Sequence, residues 1–124
     1  SFGPGRPELP AVYAKLGQPV IIGGSMETGS YLLTGLANDE TFGSTMHGAG
    51  RVMSRTQARK TVRGEKLVKS MLDKGIYVNA VSMSGLAEEA GLAYKDVHSV
   101  VDVMHAAGVT KKVCSLIPFG NVKG

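Results

Sequence analysis

Between Asp96 and Ala107, Val97, Val100, Val101 and Met104 recur at helical spacing, and Gly108 stands where such a helix stops. A helix with one apolar stripe must bury it against another element. The rest of the chain offers mainly short strands to receive it. "PVIIGG" (19–24) reads as a buried strand running into a glycine turn, and "SYLLTG" (30–35) as a second strand. "IYVNAVS" (76–82) reads as a third, and "KKVCSLIPFGNVKG" (111–124) as a final strand with a polar end. A second helix is predicted from Glu65 to Lys74, with Leu67, Val68, Met71 and Leu72 on one face and Gly75 at its stop. The order is strands, helices, strand, helix, strand, which implies an α+β fold with flanking helices on small sheets.

The flanking segments are simpler. "SFGPGRPELP" carries Pro4, Pro7 and Pro10 and predicts an extended, irregular start. "AVYAKLG" predicts a helical turn or two ended by Gly17, and "LANDETFGST" a polar connection. "SGLAEEAG" (84–91) suits a short helix with Ser84 near its start. At 124 residues the chain is one domain at most. Its apolar fraction of 43% argues against disorder, and no run approaches the length of a transmembrane helix. Cys114 is the single cysteine, so an internal disulfide is excluded and a reducing, cytoplasmic compartment is expected. The net charge of +4 permits an anionic partner.

The stretch "GSTMHGAGRVMSRTQARK" (43–60) carries the most chemistry. His47 is followed by a glycine-rich turn, and Arg51, Arg55 and Arg59 then repeat every fourth residue. If a helix begins directly after "HGAG", its free N–H groups and dipole make an anion site. Gly48 and Gly50 would let a phosphate approach the backbone, and Arg51 and Arg55 could hold a second phosphate bidentately. From Arg51 to Arg63 there are five basic residues and no acidic one. On residues alone two readings stay open: a phosphate or nucleic-acid site near a helix start, or a structural histidine beside a solvated helix face. The stretch lacks the G-K-[ST] of a Walker A loop and the H-E-x-x-H of a zincin. His98 and His105 lie seven apart on the Asp96–Ala107 helix, which suits structural or surface roles better than a metal site, and Cys114 is expected to pack among apolar neighbours.

"STMHGAGRVMSR" (44–55) resembles the signature of the RtcB-type RNA ligases, the GTP-dependent tRNA-splicing ligases. "FGPGRPELP", "PVIIGGSM", "AYKDV" and the terminal "VKG" are similar to that family's C-terminal region in the same order. The resemblance therefore covers residues 1–124 as a C-terminal segment, without the metal-binding N-terminal part that the longer family members carry. It implies joining of RNA 3′-phosphate or 2′,3′-cyclic phosphate ends to 5′-hydroxyl ends through a histidine–GMP intermediate. It makes His47 the guanylylated nucleophile, a role open to a neutral, oriented imidazole. It implies GTP and Mn2+ as cofactors, with the Mn2+ ligands outside this chain.

By the same resemblance Gly23, Gly24, Ser25, Met26 and Ser30 contact the nucleotide, followed by Gly48, Ala49, Gly50 and Lys123. Tyr94 covers or closes the base pocket, or else serves as an ordinary hydrophobic staple. Arg51 and Arg55 grip RNA or terminal phosphates. The implied partners are RNA, as tRNA halves or broken ends, and the missing N-terminal segment. Two positions depart from the family. Glu27 replaces a usual glycine, where positive φ would strain the turn and a carboxylate would repel a triphosphate. Met46 replaces a frequent cysteine with another soft apolar side chain. The competing readings are a non-catalytic RNA- or phosphate-binding module and an inactive remnant.

Overall fold

Two separate apolar cores organise the chain, which a computed structural model describes over residues 1–123. Gly124, the last residue of the terminal "VKG", lies outside the described residues. In chain order the elements are β1 (Pro19–Gly23), β2 (Ser30–Gly35), α1 (Arg55–Thr61), α2 (Gly64–Asp73), β3 (Tyr77–Ala80), α3 (Met83–Glu88), α4 (Val97–Ala106), β4 (Thr110–Leu116) and β5 (Gly120–Lys123). This is the α+β class that the sequence predicts.

The first core lies between a three-stranded antiparallel sheet, ordered β1-β2-β4, and α4. Side chains alternate across a strand, so Ile22 and Leu33 point to the same face of adjacent strands. There they meet Val97 and Val101 of α4, and all four are fully buried. Burying one such side chain is worth about 1.5–3 kcal/mol. Asp96 caps α4 by accepting the N–H groups of His98 and Ser99, and Gly108 leaves it at φ 67°.

The second core joins α2 and α3 to a parallel pair, β3 and β5. Met26, Leu67, Met71, Ile76, Leu86 and Ala90 form it. Met26 comes from the β1–β2 loop, so that short loop bridges both cores.

Four local expectations change. The helix expected directly after "HGAG" begins only at Arg55, because Ser54 caps it by accepting the Gln57 N–H, while Val52 and Met53 donate their N–H groups to the Ala93 carbonyl. The short helix expected around "SGLAEEAG" is α3, with Ser84 in its first turn and Ser82 as its cap through the Gly85 N–H. The final strand is two, in different sheets, interrupted around Pro118, which has no N–H for a ladder. Leu72 is exposed, since α2 turns Gly64, Leu67 and Met71 inward instead. Cys114 is exposed, not packed, because β4 is an edge strand buried only at Thr110. "AVYAKLG" makes a single 3-10 turn, Ala11–Tyr13, before Gly17 at φ 91°.

The accessible surface is 7643 Å² for 13.0 kDa, against about 6,300 Å² for a compact monomer of that mass. Phe42, Ile117, Phe119, Val81 and Val122 are each at least 82% exposed. Among the described residues no helix is long and apolar enough to cross a membrane.

Candidate nucleotide pocket

The β1–β2 loop is built from its own hydrogen bonds. The Gly24 N–H donates to the Gly29 carbonyl (2.9 Å) and the Gly29 N–H to that of Ser25 (3.2 Å). The Ser25 hydroxyl accepts the N–H groups of Glu27 and Thr28, each at 3.2 Å, and lies 3.0 Å from the Thr28 hydroxyl. Ser25 is thus committed to its loop. The Met26 side chain is buried in the second core, while its carbonyl accepts the Asn121 side-chain N–H at 3.2 Å. Both residues face a site chiefly through backbone.

The "HGAGR" segment runs beside the end of β1. Gly48 forms a bridge with Gly23, and the Ala49 N–H donates to the Gly23 carbonyl at 2.9 Å. Ala49 is buried in the first core and holds the segment down. Gly50 adopts φ 80°, which favours glycine, and its carbonyl accepts the Lys95 N–H. His47 is exposed at the bend that precedes this bridge. It is not at a helix start.

Gly23, Gly24, Ser25, Met26 and Ser30 line one pocket of about 190 Å³ together with Tyr94 and Lys123. Seven of the residues implied by the resemblance therefore converge. The volume suits a base rather than a whole nucleoside triphosphate. Gly48, Ala49 and Gly50 lie beside this pocket through the Gly23 bridge and do not line it.

Two further lining residues, Glu89 and Asn121, were not legible as site residues in the sequence. Glu89 is the centre of a charged network. It accepts the Tyr94 hydroxyl at 2.5 Å, and its carboxylate lies 3.6 Å from Arg51 and 3.9 Å from the Lys123 ammonium. The Tyr94 oxygen also accepts from Arg51 at 2.8 Å, and the guanidinium stands 4.7 Å from the Tyr94 ring centroid. Partial burial, and next the bond donated to Glu89, raise the Tyr94 pKa above its ordinary value. The adjacent acidic pair in "AEEAG" was the one available signal, and nothing local ties it to Tyr94 or Lys123.

The arginine run is not a free basic stripe. Arg51 donates through Nε to the Met53 carbonyl and through Nη2 to the Glu88 carbonyl, so its guanidinium is turned into the protein. Arg55 and Arg59 pair with the Glu88 carboxylate at 3.4 and 2.5 Å, although Arg55 remains largely exposed. The acids absent from 51–63 are supplied by α3 and the residue after it. Joint phosphate binding by Arg51 and Arg55 would require Arg51 to abandon these partners.

Glu27 also departs from expectation. Among the described residues only Ala37 and Phe42 have positive φ apart from glycine, so Glu27 is not strained. Its carboxylate accepts the Gly91 N–H at 2.7 Å and lies 3.2 Å from the Lys74 ammonium.

Among the described residues, no three or more His, Cys, Asp or Glu side chains group closely enough to hold a metal ion. His98 Nδ1 lies 2.6 Å from the Tyr31 hydroxyl, and His105 Nδ1 accepts the Lys112 N–H at 3.3 Å.

A family model described as tRNA-splicing ligase RtcB matches residues 1–124. The tRNA-splicing ligase RtcB of Archaeoglobus fulgidus is 52% identical over 126 residues, covering 100% of this chain and 26% of the relative. That of Pyrococcus abyssi is 50% identical, covering 100% of this chain and 14% of the relative. The RNA-splicing ligase RtcB of Mycobacterium tuberculosis is 48% identical over 124 residues, covering 100% and 29%. The chain thus spans less than a third of the length of these relatives.

Proposed function

The chain belongs to the RtcB family of tRNA-splicing ligases, and from that premise we propose that it supplies the nucleophile and part of the nucleotide pocket of a cytoplasmic, GTP-dependent RNA ligase. The observation that supports this most is the Gly23–Gly48 bridge, which holds the loop segment that follows His47 beside the pocket lined by Gly24, Ser30, Tyr94 and Lys123. In this reading the base enters the pocket. The Lys123 ammonium donates to it, and Tyr94, fixed by Glu89 and Arg51, bounds it. The exposed His47 imidazole attacks the α-phosphorus of GTP. A P–N bond forms and pyrophosphate leaves. The GMP group then passes to an RNA 3′-phosphate, and a 5′-hydroxyl displaces GMP as the strand is sealed. In the same reading Arg55, whose side chain is mostly exposed, contacts RNA phosphate.

Manganese, expected from the resemblance, has no three-ligand group among the described residues. We assign its ligands, as the resemblance implies, to a further polypeptide segment. The excess accessible surface of roughly 1,300 Å² over a compact monomer supports such a partner, because it exceeds the roughly 800 Å² that one partner buries in a standard interface.

The test is intact mass after incubation with GTP and Mn2+. It is run on this chain alone and on a chimera in which the chain replaces the matching region of the Archaeoglobus fulgidus relative. One GMP adduct on the chimera, none on the chain alone, and none on the chimera carrying His47→Ala is the expected pattern. An adduct that survives His47→Ala, or a folded chimera that takes up no GMP, overturns the proposal.

A further inference from the structure

We propose that Glu27 is a positioning residue that sets the width of the nucleotide pocket by clamping its two walls together. This rests on the reading of that pocket as a nucleotide site. One wall is the β1–β2 loop with Ser25 and Met26, and the other carries Tyr94. They are separated in sequence by the whole of α1, α2, β3 and α3. A direct side-chain tie between them is the Glu27 carboxylate. One of its oxygens accepts the Gly91 N–H at 2.7 Å, and Gly91 opens the 3-10 turn Gly91–Ala93 that delivers Tyr94. A Cβ added at Gly91 would stand 2.6 Å from that carboxylate oxygen and 3.3 Å from the Ser25 hydroxyl oxygen. The seat around the carboxylate therefore admits hydrogen and little else.

The other carboxylate oxygen lies 3.2 Å from the Lys74 ammonium at the end of α2. Lys74 neutralises Glu27, so the carboxylate does not act as a free anion against a triphosphate. Loop, helix end and turn meet on one side chain that is only one-fifth exposed. The effect of Glu27 is then the opposite of repulsion. It holds Tyr94 at a fixed distance from the loop.

The experiment measures the initial rate of GMP-adduct formation against GTP concentration in the chimera, for the unmodified protein, Glu27→Gln, Glu27→Ala and Gly91→Ala. Glutamine keeps an acceptor oxygen for the Gly91 N–H, so its KM stays within about twofold. Glu27→Ala and Gly91→Ala break the clamp and raise KM about tenfold, as for loss of a hydrogen bond to a charged group, while the maximal rate is kept. A KM unchanged or lowered in Glu27→Ala overturns the proposal, and so does a maximal rate that falls with KM unchanged. Absence of any adduct in the unmodified chimera refutes the functional reading instead. The clamp is then read from amide exchange at Gly91, which should quicken in Glu27→Ala but not in Glu27→Gln. Equal exchange in all three refutes it.

Discussion

Gly23 and Gly24 are neighbours in the lining of the pocket, and an alanine should be costly at Gly24 and nearly neutral at Gly23. A Cβ on Gly24 would lie 2.6 Å from the Gly29 carbonyl oxygen, 2.8 Å from the Thr28 hydroxyl and 2.9 Å from the Val97 Cβ. None of these neighbours can retreat cheaply. Gly29 is held at φ 85° by the loop, the Thr28 hydroxyl is bonded to the Ser25 N–H, and Val97 is fully buried as the first residue of α4. Overpacking of this kind costs about 1–3 kcal/mol, and with three close contacts the upper half applies, about 2–3 kcal/mol. A Cβ on Gly23 meets nothing within 4 Å, so Gly23→Ala should change stability by less than about 0.5 kcal/mol. For a chain of this length 1 kcal/mol moves the melting midpoint by about 4 °C. Thermal unfolding followed by circular dichroism should place Gly24→Ala about 8–12 °C below the parent, with Gly23→Ala beside it. Equal midpoints for the two variants would refute the reasoning, because they would mean that the loop does not rest on α4.

Two further outcomes are expected. Leu86→Ala, in the second core, should lower unfolding stability by about 2–5 kcal/mol. Leu72→Ala, which the helical stripe made look equivalent, should lower it by less than about 1 kcal/mol because Leu72 is half-exposed; urea titration of both checks the ranking. Tyr94 has its pKa raised by burial and by its bond to Glu89, so the folded protein favours the neutral phenol. The stability this adds is present in full below about pH 10, the ordinary tyrosine value, and is lost as pH rises through the higher folded value. Urea unfolding across the alkaline range should show that loss in the parent and less of it in Tyr94→Phe. Parallel profiles would remove Tyr94 as the cause.

What could be read from the sequence follows from how local each cause is. α2 and α4 were legible because a 3.6-residue stripe and a stopping glycine both sit within a dozen residues. The start of α1 was misplaced because Arg51 to Met53 are held by Tyr94, Glu88 and Ala93, which are some forty residues away. Ser54-x-x-Gln57 has the spacing of a capping box and coincides with the observed start. The split between β4 and β5 was written in Pro118. Pocket residues such as Ser30 and Lys123 were reached through motif resemblance and not through spacing. Glu89 and Asn121 were not, since they matter only once α3 and β5 meet the β1–β2 loop.

The loop that carries Ser25 leaves the first core at Ile22 and enters the second at Met26 a few residues later. Loosening the pocket therefore means withdrawing Met26, and withdrawing Met26 unpacks the core that α2 and α3 share. The pocket and that core have one opening reaction in common. A ligand held only by the closed loop raises the free energy of that opening by RT ln(1 + [L]/Kd). It slows exchange at amides of α2 and α3 that it never touches, so occupancy is recorded by a cooperative unit larger than the site.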